Sequence, residues 1–87
     1  MKIVARPIEV VSYTDDKGAI RPIRFRMQID DEPMQVIKVD KILVKDTEKL
    51  AGNIMFVYKC QSLIDDVMKR FEIKYELSTC KWMLYKI

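Results

Sequence analysis

Three arginines, Arg21, Arg24 and Arg26, accompany a strictly alternating segment that runs from Ile23 to Ile29. A period of two sends Ile23, Phe25, Met27 and Ile29 to one face of a pleated strand and the charged residues to the other. Arg21, Arg24 and Arg26 are read together onto the outward face, with Lys38 or Lys41 extending the row from a neighbouring strand. Guanidinium and ammonium groups spaced along a sheet pair with phosphates of a nucleic-acid backbone. Aromatic rings interleaved with them would supply stacking surfaces, as in barrel-type single-strand binders. Tyr13, Tyr58, Trp82 and Tyr85 are the available rings. The candidate interface is therefore Arg21, Arg24, Arg26, Lys38 and Trp82. The competing reading is a solvated face. The net charge is only +3, acids interrupt the basic residues throughout, and exposed strands carry Arg and Lys to resist edge pairing.

Other chemistry is scarce. The chain has no histidine, which removes Ser–His and Cys–His pairs, the commonest general base near neutral pH and the commonest metal ligand. Two glycines, Gly18 and Gly52, cannot compose a phosphate-binding glycine loop or a nucleophile elbow. Cys60 and Cys80 do not form the two close-spaced pairs of a zinc ribbon; they read as reduced thiols, although a disulfide stays open if their strands are neighbours. Carboxylates gather in the expected turns, with Asp30, Asp31, Glu32, Asp65 and Asp66 at one end of a meander. Oxygen ligands in such numbers suit a divalent cation, but Asp is simply a favoured turn residue, and turn chemistry is the reading adopted. No catalytic residue, cofactor, metal or small-molecule substrate is expected.

The elements that must position the basic row are strands. Phe71 to Leu77 alternates as cleanly as Ile23 to Ile29, placing Phe71, Ile73, Tyr75 and Leu77 on one face. Ile8 to Tyr13 forms a first strand, Pro7 being tolerable at its start, and Thr14 to Gly18 turns the chain. Asp30 to Pro33 makes the second reversal. Met34 to Val44 is strand-like with a phase change between Val39 and Ile42 that a β-bulge would accommodate. Asp46 to Asn53 suits a loop with one helical turn over 47–51, capped by Asp46 or Thr47 and stopped at Gly52. Ile54 to Gln61 is apolar on both faces at its start and reads as a central strand. Residues 62–71 fit either a short helix, with Ser62 and Asp65 as a capping box, or a hairpin tipped by Asp65-Asp66; the hairpin is preferred because alternation resumes at once at Phe71. Trp82 to Ile87 closes the chain after a reversal at Ser78 to Lys81.

Short strands joined by short turns describe one all-β domain over residues 1–87. It is an antiparallel meander of about six strands, curled into a barrel-like, SH3-like sheet so that its apolar row is enclosed. A two-layer α+β arrangement is the alternative. The longest apolar run, Ile54 to Tyr58, is far short of the ~20 residues a membrane helix needs, and Arg6, Pro7 and Glu9 interrupt the N-terminus before signal-peptide length. A cytoplasmic protein is expected.

Pro22-Ile23-Arg24-Phe25-Arg26, with Phe71 to Leu77 and the ending Lys81-Trp82-Met83-Leu84-Tyr85-Lys86, resembles a family of small uncharacterised bacterial all-β proteins. Members carry a phenylalanine–arginine strand and a terminal aromatic–leucine–tyrosine strand, and are often encoded near translesion DNA polymerases. The resemblance covers about half the chain and implies an accessory role in DNA repair or processing. The alternative partner class is protein: an interaction module or homo-oligomer joined through a sheet edge, for which Met34 to Val44 and the final strand are the natural edges.

Overall fold

In the computed structural model, which describes residues 1–28 and 33–87, the chain is all-β. Seven strands form one antiparallel sheet: β1 (Ile3–Thr14), β2 (Ile20–Met27), β3 (Gln35–Lys38), β4 (Lys41–Leu50), β5 (Asn53–Ile64), β6 (Val67–Glu76) and β7 (Lys81–Lys86). Their spatial order is β3-β2-β1-β7-β6-β5-β4. Two meanders, β1–β2–β3 and β4–β5–β6–β7, are thus joined where the first strand pairs with the last. That pairing makes β7 an inner strand, not the edge expected of it. The expected reversal at Asp30 to Pro33 and the inward Ile29 fall mostly outside the described residues.

The chain turns where backbone chemistry permits positive φ. Ala51 and Gly52, at φ 51° and 83°, form a two-residue hairpin loop whose twist matches its flanking strands. Asp65 and Asp66, at φ 50° and 64°, do the same between β5 and β6. Residues 62–71 are therefore a hairpin, since Ile64 pairs with Val67 and the ladder continues to Cys60 opposite Phe71. At the β1–β2 turn, Asp15 Oδ1 accepts from the amides of Lys17 (2.9 Å) and Ala19 (2.8 Å), and Gly18 takes φ 85°.

The helical turn expected over 47–51 is absent: β4 runs straight through Asp46, Thr47 and Glu48 to Leu50. Local capping signals lose here to a continuous ladder with the apolar β5, from Val44 opposite Lys59 to Leu50 opposite Asn53. Segment 34–44 also differs from expectation, and it accounts for the seventh strand. It is not one bulged strand but two strands bent at Val39-Asp40, with a separate irregularity between Ile42 and Val44.

That bend gives the sheet its shape. β3 and β4 lie at opposite ends of the strand order, yet only two residues connect them. So short a tether is possible only if the sheet curls until its edges meet at this corner. The corner is held by Val39 N–H donating to Ile23 O (2.9 Å), Asp40 N–H to Ser62 Oγ (2.9 Å) and Leu63 N–H to Asp40 Oδ2 (2.8 Å). The result is a half-barrel around Phe25, Met27, Ile37, Tyr58, Cys60, Phe71, Ile73 and Leu84. Phe25 and Phe71 meet across it with ring centroids 5.6 Å apart. Each large side chain enclosed this way contributes about 1.5–3 kcal/mol. Leu77, expected on the buried row, lies beyond the end of β6 and is exposed.

Candidate nucleic-acid interface

Arg24 and Arg26 stand on the outer face of β2, opposite the buried Phe25 and Met27. Strict alternation would send Arg21 inward. It does not, because the β1–β2 register slips at Ile23: Val11 pairs with Arg24 and Ser12 with Pro22. The extra residue reverses the phase, so Pro22 is buried and Arg21 is exposed. A β-bulge therefore completes the arginine row. Lys38 sits directly across from Arg24 on β3 and is exposed. The four cations are thus brought onto one convex surface, with Val11, Tyr13 and Val36 between them.

Their partners differ. Arg26 is ion-paired with Glu9 across the ladder. Arg21 lies over the Tyr13 ring, 5.1 Å from its centroid. Arg24 and Lys38 form no ion pair among the described residues, although like charges facing each other directly across a ladder are destabilising. An anion bridging them would remove that penalty. A shallow groove of about 420 Å³ runs over Arg24 and Arg26 between Val11 and Val36.

Trp82 is not part of this surface. It lies on the concave face of β7, its ring 5.7 Å from Tyr58 and 4.6 Å from Tyr75. There it joins a row: Phe56 pairs with Tyr75 and Tyr75 with Trp82 on successive strands. Phe56 and Tyr75 are stacked at 6.3 Å. All three are half-buried. The row lies beside the seam where the half-barrel stays unzipped, between the start of β2 and β4. A cleft of about 300 Å³ opens in that seam, lined by Tyr13, Ile20, Arg21, Ile42, Lys45 and Tyr58 with Asp15 and Ala19. Lys45 is opposite Tyr58 on the ladder, and its Nζ is 4.3 Å from the centre of the Phe56 ring and 5.7 Å from that of Tyr58.

The hydroxyl groups here are held neutral. Burial, assisted by Tyr75 and Cys60, pushes Tyr58 up to about 12, and its O–H donates to Ile20 O, stitching β5 to β2 across the seam. A hydrogen bond with the Cys80 side chain raises Tyr75 above the ordinary phenol range. Burial alone raises the Cys60 thiol to about 12, so it is no nucleophile near neutral pH. Cys60 and Cys80 are both free thiols. Asp65 and Asp66 occupy their turn as described, while Asp30, Asp31 and Glu32 of the expected carboxylate group lie outside the described residues.

Sequence reasoning assembled the outer cations but missed Lys45, Phe56 and Tyr75 as a group. Their signal was the pairing of two apolar alternating strands, which becomes a row only once register is known. Compared with known proteins, the chain matches no family model, no curated protein and no solved structure. Among the described residues no helix is long and apolar enough to cross a membrane.

Proposed function

We propose that this domain is a non-enzymatic, nucleic-acid-associated accessory protein that grips a phosphate backbone with the outer face of β1–β2–β3. The observation that carries the reading is the Arg24–Lys38 cross-strand couple, which forms no ion pair among the described residues and is flanked on β2 by Arg21 and Arg26. A role in DNA repair or processing is the context suggested by the strand patterns around Arg24 and Trp82. Fluorescence anisotropy with a labelled oligonucleotide tests the proposal. Affinity falls steeply with salt, and replacing Arg24 and Lys38 with serine lowers the slope of log affinity against log salt by about one for each phosphate contact removed. Binding indifferent to salt, or none in the micromolar range at low salt, overturns it.

A second reading, a protein-interaction module or homo-oligomer, rests on β4. Among the described residues its ten residues pair only with β5, and Leu43, Val44 and Leu50 along it are exposed, so a partner's extended segment would add there as a further strand. A monomer whose mass by light scattering does not change with concentration excludes the homo-oligomeric form.

A further inference from the structure

The two surfaces described above meet at Arg21. It belongs to the outer cation row, and it also lines the seam cleft together with Tyr13. Across the cleft stands Lys45, an exposed residue of the edge strand β4. It is on the concave side of β4, opposite the buried Tyr58, and makes no ion pair among the described residues. Among the described residues the only acid lining the cleft, Asp15, has one carboxylate oxygen committed to two backbone amides. Two cations thus border a gap whose floor includes Tyr58, with Phe56, Tyr75 and Trp82 continuing away from it ring beside ring.

A core needs no such arrangement. Phe25 and Phe71, at the centre of the interior, are fully buried. Phe56, Tyr75 and Trp82 pack against that core at its margin and remain partly open to solvent, and Lys45 is positioned over the Phe56 ring. Partly open aromatic rings in series, with positive charge at their border, suit flat aromatic groups carried on an anionic chain. Unpaired nucleobases on their phosphodiester backbone are that ligand. In a duplex the bases are stacked and paired, and their faces cannot reach the row.

We infer that the seam cleft and the Phe56–Tyr75–Trp82 row take unpaired bases, so that the domain prefers single-stranded over duplex nucleic acid. The backbone crosses the rim between Arg21 and Lys45. This deepens the proposed function and rests on it for the outer contacts, while adding a site on the opposite face.

Trp82 is the only tryptophan in the chain and reports directly. The test titrates the intact protein with an oligothymidylate, with a duplex of the same length and with thymidine monophosphate, following Trp82 emission. It repeats the series with Tyr75→Leu and Phe56→Leu, which keep apolar bulk but remove the ring, and with Lys45→Ser; circular dichroism confirms that each is folded. Expected are quenching by the single strand, little quenching by the duplex, and roughly ten-fold weaker single-strand binding for each ring variant with duplex binding unchanged. Salt-dependent binding that is equal for single strand and duplex, leaves Trp82 emission unmoved and survives both ring replacements overturns this inference while sparing the outer-face proposal. Absence of salt-dependent binding to either overturns both. Saturation by the mononucleotide at the oligonucleotide's affinity also overturns it, by reassigning the cleft to free nucleotides.

Discussion

The two convex walls of the half-barrel use the same residue types differently. On β4–β7 the acids Asp46, Glu48 and Glu72 face the cations Lys59, Lys74 and Lys86 around one groove, three against three. Lys74 Nζ lies 3.2 Å from Glu48 and 3.7 Å from the centre of the Tyr85 ring, and Lys59 is 3.9 Å from Asp46. This layer covers Val57, and Lys74 and Glu72 are themselves only 8% exposed. On β1–β3, among the described residues, one acid, Glu9, faces four cations: Arg21, Arg24, Arg26 and Lys38. Around the first groove Glu48 and Asp46 answer Lys74 and Lys59, and the charged side chains shield an apolar residue with their stems. Among its described residues the second wall carries more cations than acids. An arginine or lysine on a strand thus says little by itself; whether its charge is answered across the ladder separates solvated structure from a surface awaiting an anion.

The comparison breaks outright if the walls are independent units. Phe25→Asp in one wall and Ile73→Asp in the other each put an unpaired charge into the shared interior, and each is expected to cost more than about 4 kcal/mol and unfold the whole domain. Circular dichroism that shows half the strand signal surviving Phe25→Asp would mean that β4–β7 folds alone. A smaller effect sharpens the contrast. Glu48→Gln leaves the buried Lys74 without its counter-charge and is expected to cost about 1–3 kcal/mol in urea denaturation. Arg24→Ser on the other wall is expected to change stability by no more than about 0.5 kcal/mol, with any gain coming from relief of the Arg24–Lys38 repulsion. Equal losses for Glu48→Gln and Arg24→Ser would show that the surplus on β1–β3 is structural after all.

The alternating runs at Ile23 to Met27 and Phe71 to Tyr75 were legible because a strand's two faces follow parity alone, and four of the core residues, Phe25, Met27, Phe71 and Ile73, come from them. The Asp65-Asp66 hairpin was legible for a similar reason: the alternation beyond it left no room for a helix. The outward placement of Arg24, Arg26 and Lys38 followed from the same parity. Arg21 joined them only through the bulge at Ile23, whose location depends on the β1–β2 register.

What the sequence determined by itself is therefore local: which segments extend, which side of each is apolar, and that no histidine-based or glycine-loop chemistry is present. Tertiary structure decided the rest. Cap residues at Asp46 and Thr47 advertised a helical turn, but partner hydrogen bonds from β5 made them strand. The final strand looked like an edge, yet pairing with β1 placed it inside the sheet. Trp82 was grouped with the arginines until the curl of the sheet put the two on opposite faces. Register, strand order and curvature are set by contacts between residues far apart in the chain, such as Asp40 with Ser62 and Tyr58 with Ile20. No pattern confined to one segment encodes which distant partner its backbone will meet.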